Sequence, residues 1–256
     1  MRNKKAIITV TFFLLIMLTI GSFSSLAAEK VYINGIDADF PPFAYIDENG
    51  NPAGFDVESL DWIADEMGFK VKHQPTAWDG IVSSLVASKI DMVYSGMGLT
   101  EERRKKIDFS IPYWEINQAV CVREDSNLNI IAALSGDENV VGSQRGCTAA
   151  EWIDANLVQT NILAKNNLKL YESFSLAVKD LVNGRLDSAM MDDVMVEDAA
   201  RKGQPIKIVG IIKTDEIYAV GVRKGDKELK ALLDEGITKL RKSPKWDELI
   251  AKYLVK

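Results

Sequence analysis

Hydrophobic and polar positions along this chain change period many times, and each change marks an element boundary. Residues 56–67 place Val57, Leu60, Ile63, Ala64 and Met67 three or four apart, the spacing of one helix face, and Gly68 follows as a stop. Residues 31–37 and 70–74 are short apolar-rich runs between turn residues and read as strands. The turn between them is strongest at Asn49-Gly50. A second helix is predicted over 78–88, a third strand over 91–95, and a short, highly charged helix opens at Thr100. After Pro112-Tyr113 the pattern restarts, with strands predicted at 118–123, 139–143, 169–172, 187–191, 206–209 and near 215–222. Helices are predicted at 148–156 and 173–183, and two more, 227–241 and 244–253, close the chain. The stripe Leu229, Leu232, Leu233, Ile237 and Leu240 faces a core, which leaves the charges of those last helices on a solvated face.

Strands alternating with helices predict an α/β fold whose sheets are largely parallel and flanked by helices. In such sheets ligands sit beyond the carboxyl ends of the strands, so the loops after the strands are where chemistry is expected. Neither an internal repeat nor a low-complexity linker is present. Both halves follow the same strand–helix order without sharing sequence.

The first thirty residues change the picture of where the chain works. Arg2, Lys4 and Lys5 precede an apolar run from Ala6 to Ile20, and Ser25-Leu26-Ala27 places small residues at the two positions a signal peptidase reads. This order predicts a secretory signal peptide over 1–28, and the run is shorter than the roughly 20 residues of a membrane span. Among 256 residues, 31 Lys and Arg oppose 37 Asp and Glu; without the three basic signal residues the balance is 28 against 37, a net charge of −9. A chain this acidic has no general attraction for nucleic acid or anionic lipid. Cys121 and Cys147 could pair in an oxidising compartment. His73 is the single histidine, expected on a strand surface, so most zinc sites and Ser-His or Cys-His nucleophile systems are excluded. No metal or cofactor motif is present.

Several loops carry chemistry. Gly35-Ile36-Asp37-Ala38-Asp39-Phe40-Pro41-Pro42-Phe43, Gly54-Phe55-Asp56-Val57-Glu58, Trp78-Asp79-Gly80, Ser95-Gly96-Met97-Gly98-Leu99-Thr100-Glu101-Glu102-Arg103 and Ile107-Asp108-Phe109-Ser110-Ile111-Pro112-Tyr113 occur in that order. In order and spacing they resemble the family 3 periplasmic solute-binding proteins, the amino-acid-binding components of bacterial ABC transporters, over essentially the whole chain after residue 28. The resemblance implies a two-lobed type II periplasmic-binding-protein fold with a discontinuous first lobe, 29–116 plus 217–256, and a second lobe, 117–216. It implies hinge strands near 116–119 and 215–219.

The residues give these loops a physical reading beside the family's. Thr100 is a good N-cap, which places Arg103 in the first turn, where a planar guanidinium beside free N–H groups suits a carboxylate. The resemblance assigns Arg103 to the ligand's α-carboxylate. Asp192 ends an apolar strand and is either a helix cap or, as the resemblance implies, the partner of the ligand's ammonium group. Phe40 and Trp78 would flank the ligand side chain, with core packing as the alternative use of both rings. Asp37 would meet a distal polar group or satisfy loop N–H groups. The backbone of Ser95, Gly96, Met97 and Gly98 belongs to the same implied site.

From the second lobe, Gln144-Arg145-Gly146-Cys147-Thr148 resembles the loop that closes on the carboxylate, with Cys147 where the family has a first threonine. Gln144 and Thr148 are the implied contacts, and Thr148 through Glu151 also reads as a capping box. Gly98 stands where many members carry a Ser or Thr whose hydroxyl accepts from the ligand ammonium. Arg145 would favour an acidic ligand if it entered the cleft.

The expectation is therefore an extracytoplasmic, monomeric, cofactor-free binding protein that is not an enzyme. It would deliver a polar or cationic amino acid, arginine or lysine before glutamine, to a membrane permease by hinge closure. A cyclohexadienyl-dehydratase-like enzyme on the same fold is the alternative, and a secreted sensor or adhesion module with a separate partner is a third.

Overall fold

The computed structural model describes residues 30–136 and 138–254; the expected signal peptide lies outside the described residues. The first stretch runs β1 (Val31–Ile36), β2 (Asp39–Phe40), β3 (Ala44–Ile46), β4 (Pro52–Ala53), α1 (Phe55–Met67), β5 (Lys70–Pro75), α2 (Trp78–Val86) and β6 (Met92–Val93). Then come α3 (Glu101–Lys106) and β7 (Ile107–Phe109). The middle stretch holds β8 (Trp114–Arg123), α4 (Ile130–Leu134), β9 (Val141–Gln144), α5 (Thr148–Ile153), β10 (Leu168–Tyr171), α6 (Phe174–Val182), β11 (Ser188–Asp192), α7 (Asp193–Arg201) and β12 (Ile206–Tyr218). The chain ends through β13 (Gly221–Arg223), α8 (Lys227–Lys242) and α9 (Pro244–Tyr253).

Two five-stranded sheets organise the fold, ordered β5-β1-β6-β13-β7 and β10-β9-β11-β8-β12. Each is the centre of one lobe, and the first lobe is discontinuous because β13 returns from the far side of the second sheet to insert between β6 and β7. The sheets are mixed rather than largely parallel. β5–β1–β6 and β10–β9–β11 pair in parallel through helical crossovers, whereas β13 and β8 run antiparallel to both their neighbours. The antiparallel half arises where the chain passes between lobes by strand instead of through a helix.

Local sequence accounts for most elements. α1 buries Phe55, Val57, Leu60, Ile63 and Ala64 and ends at Gly68, whose N–H donates to the Ala64 carbonyl. Its buried Asp56 accepts from Gly96 N at 2.6 Å and from Tyr113 Oη at 2.7 Å, which ties the helix to the loop after β6. Burial pushes this carboxyl up to about 8. α8 packs Leu229, Leu233, Ile237 and Leu240 inward, with Ile63 of α1 against its Gly236.

β8 and β12 run side by side from the second sheet into the first lobe. Their register is broken between Ile208 and Gly210 and again between Ile212 and Glu216. At the first-lobe end, Tyr113 N donates to Tyr218 O, Leu99 N to Ile217 O and Ala219 N to Met97 O. This pair fixes the loop after β6 relative to the second sheet.

Two further expectations are revised, and the two cysteines are unpaired. His73 is not a surface residue: its side chain is 8% exposed, with Nδ1 against Asn34 Nδ2 at 3.1 Å and Nε2 against Asp61 at 3.0 Å. The N-cap of α5 is Cys147, whose Sγ accepts from Ala150 N at 3.4 Å, so Thr148 does not form a capping box. Cys121 and Cys147 are both buried free thiols, pushed up to about 12 and about 11 by burial. No helix among the described residues is long and apolar enough to cross a membrane.

Candidate functional site

The loops after the parallel strands of both sheets face one another and are joined across the gap. From the first lobe, the Trp78 indole Nε1 donates to Gly146 O at 3.1 Å, and Arg103 Nη2 donates to the same carbonyl at 2.9 Å. From the second, Gln144 Nε2 donates to Asp37 Oδ2 at 2.6 Å, and Ser175 Oγ donates to Asp39 Oδ1 at 2.7 Å. At the rim, Arg145 reaches Asp79 at 3.5 Å and donates to Leu170 O at 3.1 Å. Half-exposed there, its guanidinium is committed to those groups and not to the cleft.

Arg103 is positioned by its helix. Thr100 Oγ1 caps α3 by accepting from Arg103 N at 3.2 Å, which turns the side chain inward to 8% exposure. Its Nη1 donates to Gly98 O at 2.7 Å, and its guanidinium carbon lies 5.4 Å from the centre of the Trp78 ring. Trp78 opens α2, and Phe40 ends β2. Their rings are parallel to within 3°, with centroids 6.3 Å apart. The guanidinium beside the indole and the flat pair beside it form an apolar wall with one positive end.

The segment Ser95-Gly96-Met97-Gly98 is pinned on all sides. Ser95 Oγ accepts from Asp37 N at 2.9 Å, and Gly96 N donates to Asp56. The Met97 side chain packs into the core against Gly221, so only its backbone borders the cleft. Gly96 has φ +57, and a Cβ there would lie 2.2 Å from Phe40 Cε1. Gly96→Ala is therefore expected to cost about 1–3 kcal/mol in backbone strain and to push Phe40 off the Trp78 plane. The check is a lowered thermal midpoint together with a change in tryptophan fluorescence; an unchanged midpoint would count against this packing.

The second lobe and the strands joining the lobes supply the negative end. Asp192 ends β11 and precedes α7, but its carboxylate makes no capping bond. Instead Oδ1 accepts from Gln118 Nε2 at 2.8 Å and Oδ2 accepts from the Tyr218 hydroxyl. Burial, and then the charge of nearby Glu216, push Asp192 up to about 7 against the pull of those two donors. Burial likewise raises Asp37, opposed by its bond from Gln144. Thr148 Oγ1, free of any capping duty, accepts from Gln118 Nε2 at 3.2 Å.

Gly98 stands where these groups meet. A Cβ on it would lie 3.2 Å from Thr148 Cγ2, 3.4 Å from Arg103 Nη1 and 3.7 Å from Glu216 Oε2. A side chain at this position would press on Thr148 of the opposite lobe. Asp37, Phe40, Trp78, Arg103, Gln144, Thr148, Asp192 and the 95–98 backbone thus lie along one interlobe cleft. Gln118, Glu216 and Tyr218 belong to the same network, and no loop motif marks them. The one local signal was Gln118, a polar residue heading the apolar run Ala119-Val120-Cys121-Val122. Among the described residues, no cluster of three or more His, Cys, Asp or Glu is placed to hold a metal ion.

Comparison with known proteins matches this geometry to a family. An L-arginine-binding protein of Pseudomonas aeruginosa is 33% identical over 245 residues, covering 92% of each chain. A solved structure of an ancestral arginine-binding protein bound to arginine superposes with a TM-score of 0.80 at 32% identity, over 88% of this chain and 98% of that one. The arginine-, lysine-, histidine-binding protein ArtJ from Geobacillus stearothermophilus superposes with a TM-score of 0.79 at 27% identity, over 89% and 96%. The model of the bacterial extracellular solute-binding proteins, family 3, matches residues 32–256, so the chain belongs to that family.

Proposed function

We propose that this protein captures a cationic L-amino acid, arginine or lysine before glutamine, and delivers it to a membrane ABC permease. One observation carries the reading. The Arg103 guanidinium and the Asp192 carboxylate come from opposite lobes and converge through Gly98, Thr148 and Gln118 on one closed cleft. An amino acid carries a carboxylate and an ammonium on one carbon, and this cleft offers each an opposite charge. The guanidinium suits a bidentate grip on the carboxylate.

The charge balance favours a cationic side chain. Among the described residues, Asp37, Asp192 and Glu216 border the cleft with three carboxylates, while Arg103 is its one inward cation and Arg145 is held at the rim. The parallel Phe40 and Trp78 rings suit a flat guanidinium or an alkyl chain. Arginine binding is named for two of the relatives above, and arginine, lysine and histidine for the third.

Closure is the working step in this reading. The lobes are residues 29–116 with 217–256, and residues 117–216. β8 and β12 act as the hinge, and ligand adds to interlobe bonds such as Trp78 to Gly146 and Gln144 to Asp37. Ligand shifts the open–closed balance only by as much as it prefers the closed form, and the closed surface is what the permease reads. The protein acts as a monomer outside the cytoplasm after loss of residues 1–28, needs no cofactor and turns nothing over. A thermal-shift panel of the amino acids, ornithine, cystine and prephenate tests this. A ligand at a hundred times its Kd stabilises by about 2.7 kcal/mol, so arginine or lysine should raise the midpoint most. A response to acidic amino acids alone, or consumption of prephenate, would overturn it.

A further inference from the structure

None of the loop segments that carry the family resemblance includes Glu216, yet the fold delivers it into the cleft. Pairing along β12 and β8 steps from Ile212 opposite Gln118 to Glu216 opposite Ile116, four residues on one strand against two on the other. This bulge, with Asp215 at φ +50, sets Glu216 rather than Thr214 opposite Ile116 and thus beside Gln118 on the same face. Glu216 Oε1 accepts from Gln118 Nε2 at 3.2 Å.

Acceptors outnumber donors around that amide. Its two N–H groups face three oxygens, those of Thr148, Asp192 and Glu216. All three lie on one side, so the amide nitrogen must point there and Gln118 Oε1 must point away. Gln118 Oε1 and Glu216 Oε2 are both buried and accept no hydrogen bond. Orphaned buried acceptors are costly, and Glu216 Oε2 beside the Asp192 carboxylate suits a cation with several N–H donors. Gly98 leaves this side of the cleft open, because any side chain there would approach Glu216 Oε2 and Thr148.

We propose that Glu216 is a second carboxylate for the ligand's amino group, sharing with Asp192 the N–H bonds of one ammonium. The charged acceptor supplied by the hinge strand stands in for the hydroxyl that Gly98 removes. This deepens the amino-acid reading and rests on it. The amino end of the ligand becomes its most strongly selected feature, and a ligand without that group leaves Glu216 Oε2 unmet.

The test compares L-arginine with 5-guanidinopentanoate, the same molecule without its amino group, by calorimetric titration of the wild type and Glu216→Gln. Glutamine at 216 keeps an acceptor for Gln118 but loses the charge. The expected result is a weakening for L-arginine of about ten- to a hundredfold, the usual loss of a charged hydrogen bond, and less than about threefold for the deamino analogue, measured by competition if weak. Glu216→Asp should bind L-arginine with intermediate affinity, which guards against a folding defect in one variant. Unchanged L-arginine affinity in Glu216→Gln, or equal weakening for both ligands, overturns the role of Glu216 while leaving the amino-acid reading intact. A wild type that binds no amino acid overturns both.

Discussion

Replacing Arg103 with alanine is expected to weaken amino-acid binding thirtyfold to several thousandfold. Removing one partner of a buried, hydrogen-bonded charge pair costs about 2–5 kcal/mol, much of it because the other charge stays buried and unpaired. In the proposed site the partner is the ligand carboxylate, and among the described residues no second cation points into the cleft, since Arg145 is held on Asp79 and Leu170. Arg103→Lys should recover little, because one ammonium cannot hold Gly98 O and Gly146 O while gripping a carboxylate in two places. Calorimetric titration of both variants checks this. An Arg103→Ala protein that binds within threefold of wild type would remove the carboxylate site from the account.

The second large effect is on pH. Asp192 is pushed up to about 7, chiefly by burial and then by Glu216, while Tyr218 and Gln118 pull the other way; Asp193 adds a small push. An ammonium ligand needs the ionised carboxylate, so binding releases the proton that the free protein holds below that value. Affinity should be highest near pH 8 and fall roughly tenfold per unit below about 7, near a hundredfold weaker at pH 5. Asp192→Asn should bind weakly at every pH and lose this slope. A wild-type affinity that stays flat from pH 5 to 8 would contradict the assignment. The sign for the ligand-free fold is opposite. A raised carboxyl stabilises the fold below its ordinary value and loses that contribution as pH rises through the folded one. Asp192 near 7 and Asp56 near 8 both act this way. The unliganded midpoint should therefore fall as pH rises from about 4 to about 8 and level off above that, while the gain from ligand grows.

Elements with long, regular patterns were legible in the sequence. α1, α8 and α9 follow from the spacing of their apolar residues, and Gly68 ends α1 as its position suggests. β2, β3 and β4 were not, because strands of two or three residues carry no periodicity. Residues 206–209 and 215–222 read as separate strands, since Gly210 and the polar stretch Lys213-Thr214-Asp215 break the pattern. The fold runs β12 through the first and on to Tyr218, absorbing the interruptions as bulges, and β13 takes up the end of the second.

Site residues divide the same way. Arg103, Phe40, Trp78 and Asp192 sit in loops whose order along the chain is distinctive, and the fold gathers them along one cleft. Gln118 and Glu216 depend on cross-strand register, which is set by the whole sheet and leaves no local trace. The cap of α5 was misplaced by one residue because cysteine is a poor predicted cap, whereas Thr148 is a good one. The fold uses Cys147 there and releases the Thr148 hydroxyl to Gln118.

A crystal structure of the protein grown with L-arginine tests the central claim most directly. The account predicts one arginine between the lobes. Its carboxylate should be gripped by Arg103, its ammonium should meet Asp192 and Glu216, and its side chain should lie against the Phe40 and Trp78 rings toward Asp37. An arginine bound elsewhere, or turned so that its carboxylate faces Asp192, would contradict the account.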